Sequence, residues 1–317
     1  MLSSSLPTPD APIPPDPIRL VCYRIDLDAP LPDGALQCLS AEEAARAERF
    51  RFEHLRQRYR ASRVALRTLL AEQLSVAPAE IRFTTSATGK PSLHPDHGST
   101  LHFNLSHSEG SGWIALAHQP VGIDVEAFDR PMPERATLVE RIASATEQTL
   151  MQQLPTRWQG PAFFLAWTRK EALLKAWGDG IQGFGSLQRL DTRLPDSSGT
   201  EYFLEAAMVA GRADSQDSPN PLPTTTQNTV TQPDTALSFR ALPVTQIHHP
   251  QHRPDANANR QPLWLASFAG PHEIISVAAP VMFSVELHAY PLPVGLPKGN
   301  SSVQPSIPNR LFTQGKS

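Results

Sequence analysis

The sequence predicts an α+β protein built as two similar halves. Three observations carry that expectation: a helical apolar repeat from Arg58 to Leu74, short alternating strands from Ile81 to Glu126, and a second long helix from Phe163 to Trp177 followed by further apolar alternation. The order helix, strands, helix, strands suggests a duplicated unit, although no repeat is visible residue by residue.

Ser40 with Glu43 three positions later has the spacing of a capping box, which predicts a helix running through the Glu48 to Phe52 region. In the next helix Ala61, Ala65, Leu69 and Leu66, Leu70, Leu74 recur every fourth position, so one side is apolar and the other rich in arginine. Strands are expected at Ile81 to Thr85, Leu101 to Ser106, Trp113 to His118 and Val121 to Glu126, separated by Gly, Pro and His turns. A mostly helical stretch follows, and its clearest helix, Phe163 to Trp177, is stopped by Gly178 and Gly180. Strands return around Leu187 to Leu190, Tyr202 to Val209, Leu263 to Phe268 and Ile274 to Ala278.

Three segments are poor in large apolar side chains and hold much of the 32 prolines. Such composition cannot repay chain entropy, so residues 1–17 are expected to be a disordered start, 212–262 a low-complexity insert and 291–317 a disordered tail. The remainder divides into an N-terminal half, 18–120, and a C-terminal half, 121–290, that carries the insert. His248, His249 and His252 fall inside the insert and are read as incidental rather than as metal ligands.

Lys plus Arg number 28 against 31 Asp plus Glu, a balance that argues against a nucleic-acid partner. Two cysteines, Cys22 and Cys38, in no metal-binding spacing fit a reducing compartment. With no basic start leading into an apolar run and no stretch of about 18 apolar residues, a cytoplasmic protein without membrane contact is expected.

In Val121-Gly122-Ile123-Asp124-Val125-Glu126 the alternation puts both carboxylates on one side of a strand. Two close anions without nearby His or Cys suit a hard cation such as Mg²⁺; a solvated sheet face is the other reading. Trp167, Glu171 and Lys175 share one helical face, where Glu171 can add a third oxygen ligand and Lys175 can neutralise phosphate, or the pair can simply stabilise an exposed helix. Asn104, Ser106, His107 and Ser108 end a strand in groups suited to phosphate or ribose oxygens, and equally form an ordinary turn. Thr88-Gly89-Lys90-Pro91 reads as a tight turn in which Lys90 can reach a phosphate while Gly89 lets the backbone approach. Neither a Walker loop nor G-x-G-x-x-G is present.

Taken in order, Gly89-Lys90-Pro91, Asn104-Leu105-Ser106-His107, Gly122-Ile123-Asp124-Val125-Glu126 and Trp167-x-x-Lys170-Glu171-Ala172-x-x-Lys175 resemble the 4′-phosphopantetheinyl transferases of the larger, surfactin-synthetase-activating type. The resemblance spans Phe50 to Leu190 and implies two α+β halves related by a pseudo-twofold axis, with coenzyme A between them. It implies Asp124, Glu126 and Glu171 as Mg²⁺ ligands, Lys175 as the pyrophosphate-contacting lysine, and Gly89, Lys90, Asn104, Ser106 and His107 at the nucleotide end of coenzyme A. Arg51, Arg56, Arg58 and Arg63 lie where the family uses basic residues against the 3′-phosphate, with Arg58 the preferred choice; the other reading is that these arginines solvate a helix face.

The implied reaction is Mg²⁺-dependent transfer of 4′-phosphopantetheine from coenzyme A to a serine of an apo acyl or peptidyl carrier protein, releasing adenosine 3′,5′-bisphosphate. Glu171, Glu147 or a metal-bound water is the base, and for Glu147 helix capping from Ser144 is an equal alternative. One chain would supply a whole cleft, so a monomer is expected. The rival readings are a non-catalytic module that binds coenzyme A or a carrier, and a metal-dependent phosphohydrolase. The polar stretch 212–262 departs from the family pattern.

Overall fold

The computed structural model describes residues 18–132, 134–179, 187–210, 239–248 and 261–292. The first half runs β1 (Ile18–Asp26), α1 (Ala41–Glu48), α2 (Glu53–Leu74), the small hairpin β2 (Phe83–Thr85) and β3 (Pro91–Leu93), β4 (His102–Ser108) and β5 (Ser111–Ala117). The second runs β6 (Gly122–Ala127), α3 (Arg135–Ile142), α4 (Ala145–Gln153), α5 (Thr156–Trp177), α6 (Ser197–Ala210), β7 (Arg240–Ile247), β8 (Leu263–Ala269) and β9 (Glu273–Ala279). A last strand, β10 (Phe283–Ala289), crosses back and pairs in parallel with β1.

One sheet has the order β10-β1-β5-β4 and the other β6-β9-β8-β7. In each, the first strand is followed by a 22-residue helix, and the order β1-β5-β4 matches β6-β9-β8. The two sheets face each other across a shared core in which Leu20, Cys22, Trp113 and Ala115 meet Ile123, Val125, Phe268 and Val277. Helix α2 covers the outer side of the first sheet, where Val21, Tyr23 and Ile25 pack on Ala65, Leu66 and Leu69. Helix α5 covers the second through Ala172, Leu173 and Ala176. Strand β1 is thus buried on both faces and reads as a nearly continuous apolar run, which hides its alternation in the sequence.

The capping box at Ser40 forms: Glu43 N donates to Ser40 Oγ at 3.2 Å and Ser40 N to Glu43 Oε2 at 3.0 Å. Helix α1 ends at Glu48, however, and α2 begins at Glu53, not Arg58. Helix α5 starts at Thr156, seven residues before the expected Phe163; Pro161 lies inside it, where the absent N–H falls within the second turn and is tolerated by packing.

Two expected strands are not strands. Residues 202–209 lie in α6, where Phe203, Leu204 and Ala207 are buried at helical spacing while Tyr202 is exposed, so the β-favouring Tyr, Phe and Val yield to an alanine-rich 3.6-residue pattern. Residues 187–189 form a single 3₁₀ turn with Leu187 buried. Strand β7 lies inside the stretch 212–262 expected to be low-complexity insert; it pairs with β8 at the sheet edge, and its Pro243 sits at the register shift between Leu242 and Thr245, where a missing N–H costs least. Of the expected disordered segments, residues 1–17 and 293–317, with most of 212–262 including His249 and His252, lie outside the described residues.

Candidate active site

Strands β4 and β6 are the facing edges of the two sheets. Along that seam β4 uses side chains where a neighbouring strand would use carbonyls. Ile123 N donates to Asn104 Oδ1 (2.8 Å), Val125 N to Ser106 Oγ (3.4 Å) and Ala127 N to Ser108 Oγ (3.0 Å). The period of two is the same on both strands, so each β6 residue between these amides projects its side chain clear of the ladder. Ile123 and Val125 enter the inter-sheet core, and Gly122, Asp124 and Glu126 turn toward α5. Gly122 is required there: a Cβ at that position would lie 2.0 Å from Ala172 O and 2.5 Å from Ala176 N.

Together Leu105, Ser106, His107, Asp124, Glu126, Trp167, Glu171 and Lys175 line a cleft of about 330 Å³. A larger, open hollow of about 550 Å³ lies around Asp28, Leu31, Asp33 and Gln57 and, among the described residues, has no cation in its lining to receive a phosphate. In the cleft Lys175 Nζ donates to Asp124 Oδ1 at 2.6 Å, Ser106 Oγ at 3.1 Å and Ile123 O at 3.1 Å, and Ser106 Oγ donates to the same Asp124 oxygen at 2.7 Å. Glu126 accepts from Ser108 Oγ at 2.9 Å and Trp167, and pairs with Arg130 at 3.1 Å.

Among the described residues two buried carboxylate oxygens, Asp124 Oδ2 and Glu171 Oε1, find no hydrogen-bond partner. Burial, then the charge of Asp124, pushes the Glu171 carboxyl up to about 7 against the opposing pull of Lys175. Burial, then Asp124, also raises Glu126, against Arg130, Ser108 and Trp167. Crowded acids held away from water favour whatever positive partner can reach them, and their oxygen-only chemistry suits Mg²⁺. Among the described residues no three His, Cys, Asp or Glu side chains are already drawn together as an ion would need, and Lys175 pairs with one oxygen of Asp124.

Of the site residues expected from sequence, Asp124, Glu126, Glu171, Lys175, Ser106 and His107 meet in the cleft. Asn104 is buried in the seam ladder. Gly89 holds a turn at φ 87°, and the Lys90 ammonium donates to Val121 O (3.1 Å) and Lys175 O (2.5 Å), with burial and then Lys175 lowering its pKa to about 8. Arg58 forks onto Asp28 at 2.7 and 2.9 Å. Arg56 pairs with Glu48 and Glu53, Arg63 with Glu43, and Arg51 lies over the Phe52 ring. Glu147 does not line the cleft. Its Oε2 accepts from Ser144 N and pairs with Lys170 at 2.8 Å, and its Oε1 accepts from Thr192 N and Oγ1, so the capping alternative is the one the structure contains. Ser108, read from the sequence as suited to phosphate or ribose oxygens, and Trp167, read as sharing the face of Glu171, instead both hydrogen-bond Glu126, a role their spacing alone does not announce.

Residues 33–121 match the family profile described as 4′-phosphopantetheinyl transferase, N-terminal, and residues 120–223 the one described as the 4′-phosphopantetheinyl transferase superfamily. The 4′-phosphopantetheinyl transferase HetI of Nostoc sp. is 40% identical over 165 residues, which is 50% of this chain and 68% of that protein. The chain belongs to the 4′-phosphopantetheinyl transferase family. The transferase Sfp of Bacillus subtilis (strain 168) is 30% identical over 165 residues, 50% of this chain and 70% of its own length. A phosphopantetheinyl transferase of Thraustochytrium sp. is 37% identical over 180 residues, 51% of this chain and 59% of that one. As a member of this family the chain is a transferase with an α+β fold. No helix among its described residues is long and apolar enough to cross a membrane.

Proposed function

We propose that the cleft catalyses Mg²⁺-dependent transfer of 4′-phosphopantetheine from coenzyme A to a serine of an apo carrier protein. The observation that carries this reading is that Asp124 and Glu171, each with a buried carboxylate oxygen that finds no hydrogen-bond partner among the described residues, line one cleft with Lys175. Asp124, Glu126 and Glu171 are the residues that would hold Mg²⁺, and the ion when bound would neutralise pyrophosphate charge.

Lys175 leaves Asp124 for the pyrophosphate oxygens and opposes the charge that builds on them. Glu171 takes the serine proton, directly or through a water. The serine oxygen bonds to the phosphorus next to pantetheine as the bridging P–O bond breaks, and the electron pair leaves on adenosine 3′,5′-bisphosphate. Ser106 and the exposed His107 border the mouth and receive the nucleotide end. Glu147 is assigned to structure. The shared inter-sheet core makes one chain sufficient for the cleft, and the two free, buried thiols suit a reducing cytoplasm.

Incubation with coenzyme A, Mg²⁺ and a panel of apo fatty-acid, polyketide and nonribosomal-peptide carriers, read by intact mass, tests the reading. Gain of the phosphopantetheine mass on a carrier, lost on chelation, is expected. Binding without mass gain would favour a non-catalytic module, and phosphate release without a carrier would favour hydrolysis.

A further inference from the structure

Helix α5 ends in a way that separates the Lys175 carbonyl from the amide four residues on. Gly178 N and Asp179 N both donate to Leu174 O, at 2.9 and 3.1 Å, so the amide that would ordinarily serve Lys175 O is spent one residue earlier. The Lys90 ammonium takes that carbonyl at 2.5 Å and the Val121 carbonyl at 3.1 Å. A cation at a helix C-terminus also meets the negative end of the helix dipole. Lys90 comes from the β2–β3 hairpin of the first half, whereas Val121 leads into β6 and Lys175 belongs to the last turns of α5. At this point β6 and α5 touch backbone to backbone, as the space around Gly122 demands.

We propose that Lys90 is a positioning residue, a clamp from one half that seats the last turn of α5 on β6 and thereby aims Lys175 and Glu171 at Asp124 and Glu126. In the ligand-free chain Lys175 is then held at both ends: its carbonyl by Lys90, its ammonium by Asp124, Ser106 and Ile123 O. Two of the three ammonium protons of Lys90 are committed to carbonyls, so its service is to the protein's own backbone rather than to a phosphate. The catalytic consequence rests on the transferase reading above, and the contacts themselves do not.

Lys90→Met keeps the stem and removes the donors. Hydrogen exchange on the ligand-free chain should quicken by about tenfold or more at residues 121–124 and 174–179 and stay unchanged in α2. Steady-state transfer should lose roughly 10–100-fold in kcat with KM for coenzyme A within about twofold, because misplacement of catalytic groups is costlier than loss of one ligand contact. If Lys90→Met does not fold, Lys90→Gln, which keeps a shorter donor, carries the same readings. A rise in KM with kcat kept would make Lys90 a phosphate contact and overturn the clamp. Unchanged exchange would overturn it too, as would a lower Tm with kcat unaltered. Should the wild type transfer nothing, the proposed function fails while the exchange measurement still decides the clamp.

Discussion

Helix α5 carries the lysines of two lysine–carboxylate pairs, five residues apart, and the pairs differ in what they leave undone. Lys170 and Glu147 are 0% and 1% exposed, 2.8 Å apart, and saturated: the ammonium also donates to Leu187 O and Leu190 O, and the carboxylate accepts from Ser144 and Thr192. Lys175 and Asp124, 2.6 Å apart, face a cleft, and the second oxygen of Asp124 finds no partner among the described residues. Arg169 belongs with the first pair, since its guanidinium is spent on Thr192 O and Ser267. The difference teaches that charge and burial do not mark a functional site by themselves. The mark is hydrogen-bonding capacity held in place and left unused.

The contrast breaks most sharply on Asp124→Ala, which should cut transfer by about 10²–10³-fold or more while far-ultraviolet circular dichroism and the unfolding midpoint stay near wild type. Glu147→Ala should do the reverse to stability, costing about 3–5 kcal/mol in urea unfolding because Lys170 is left charged, buried and unpaired. Gly122→Ala forces a methyl into the backbone of α5 and should cost about 1–3 kcal/mol by the same measurement, with a loss of transfer beyond the unfolded fraction.

Glu171→Gln gives the smallest effect on stability and sharpens the cleft side of the comparison. The folded protein holds the Glu171 proton up to about pH 7, whereas an unfolded glutamate releases it near pH 4.3. Between those values the folded state binds more protons, so wild-type stability falls as pH rises. The glutamine variant is spared that fall. It should be more stable than wild type by about 1–2 kcal/mol at pH 8, after allowance for water in the cleft, and show no such advantage below about pH 4. Mg²⁺ should narrow the gap at pH 8 by stabilising the wild type more, as read by thermal melts with and without the ion.

What was legible in the sequence is what local geometry decides. The period of two in β6 directs Asp124 and Glu126 together, and the spacing of four in α5 lines up Trp167, Glu171 and Lys175. Capping boxes at Ser40 and Ser144 were legible for the same reason. What was not legible depends on distant partners. Nothing near Lys90 says that its ammonium ends on a carbonyl 85 positions away, and nothing near Arg58 announces Asp28. The parallel pairing of β1 with β10 joins Ile18 to Phe283, a contact with no local trace. Strand β7 was lost inside a polar stretch because an edge strand needs few apolar residues and tolerates proline.

The central claim, that acids from β6 and α5 clasp one divalent ion, is tested most directly by Mn²⁺ binding in the presence of coenzyme A, followed by electron paramagnetic resonance. One ion per wild-type chain is predicted, with affinity reduced about tenfold or more in each of Asp124→Ala, Glu126→Ala and Glu171→Ala. Equal binding by the wild type and all three variants would contradict it.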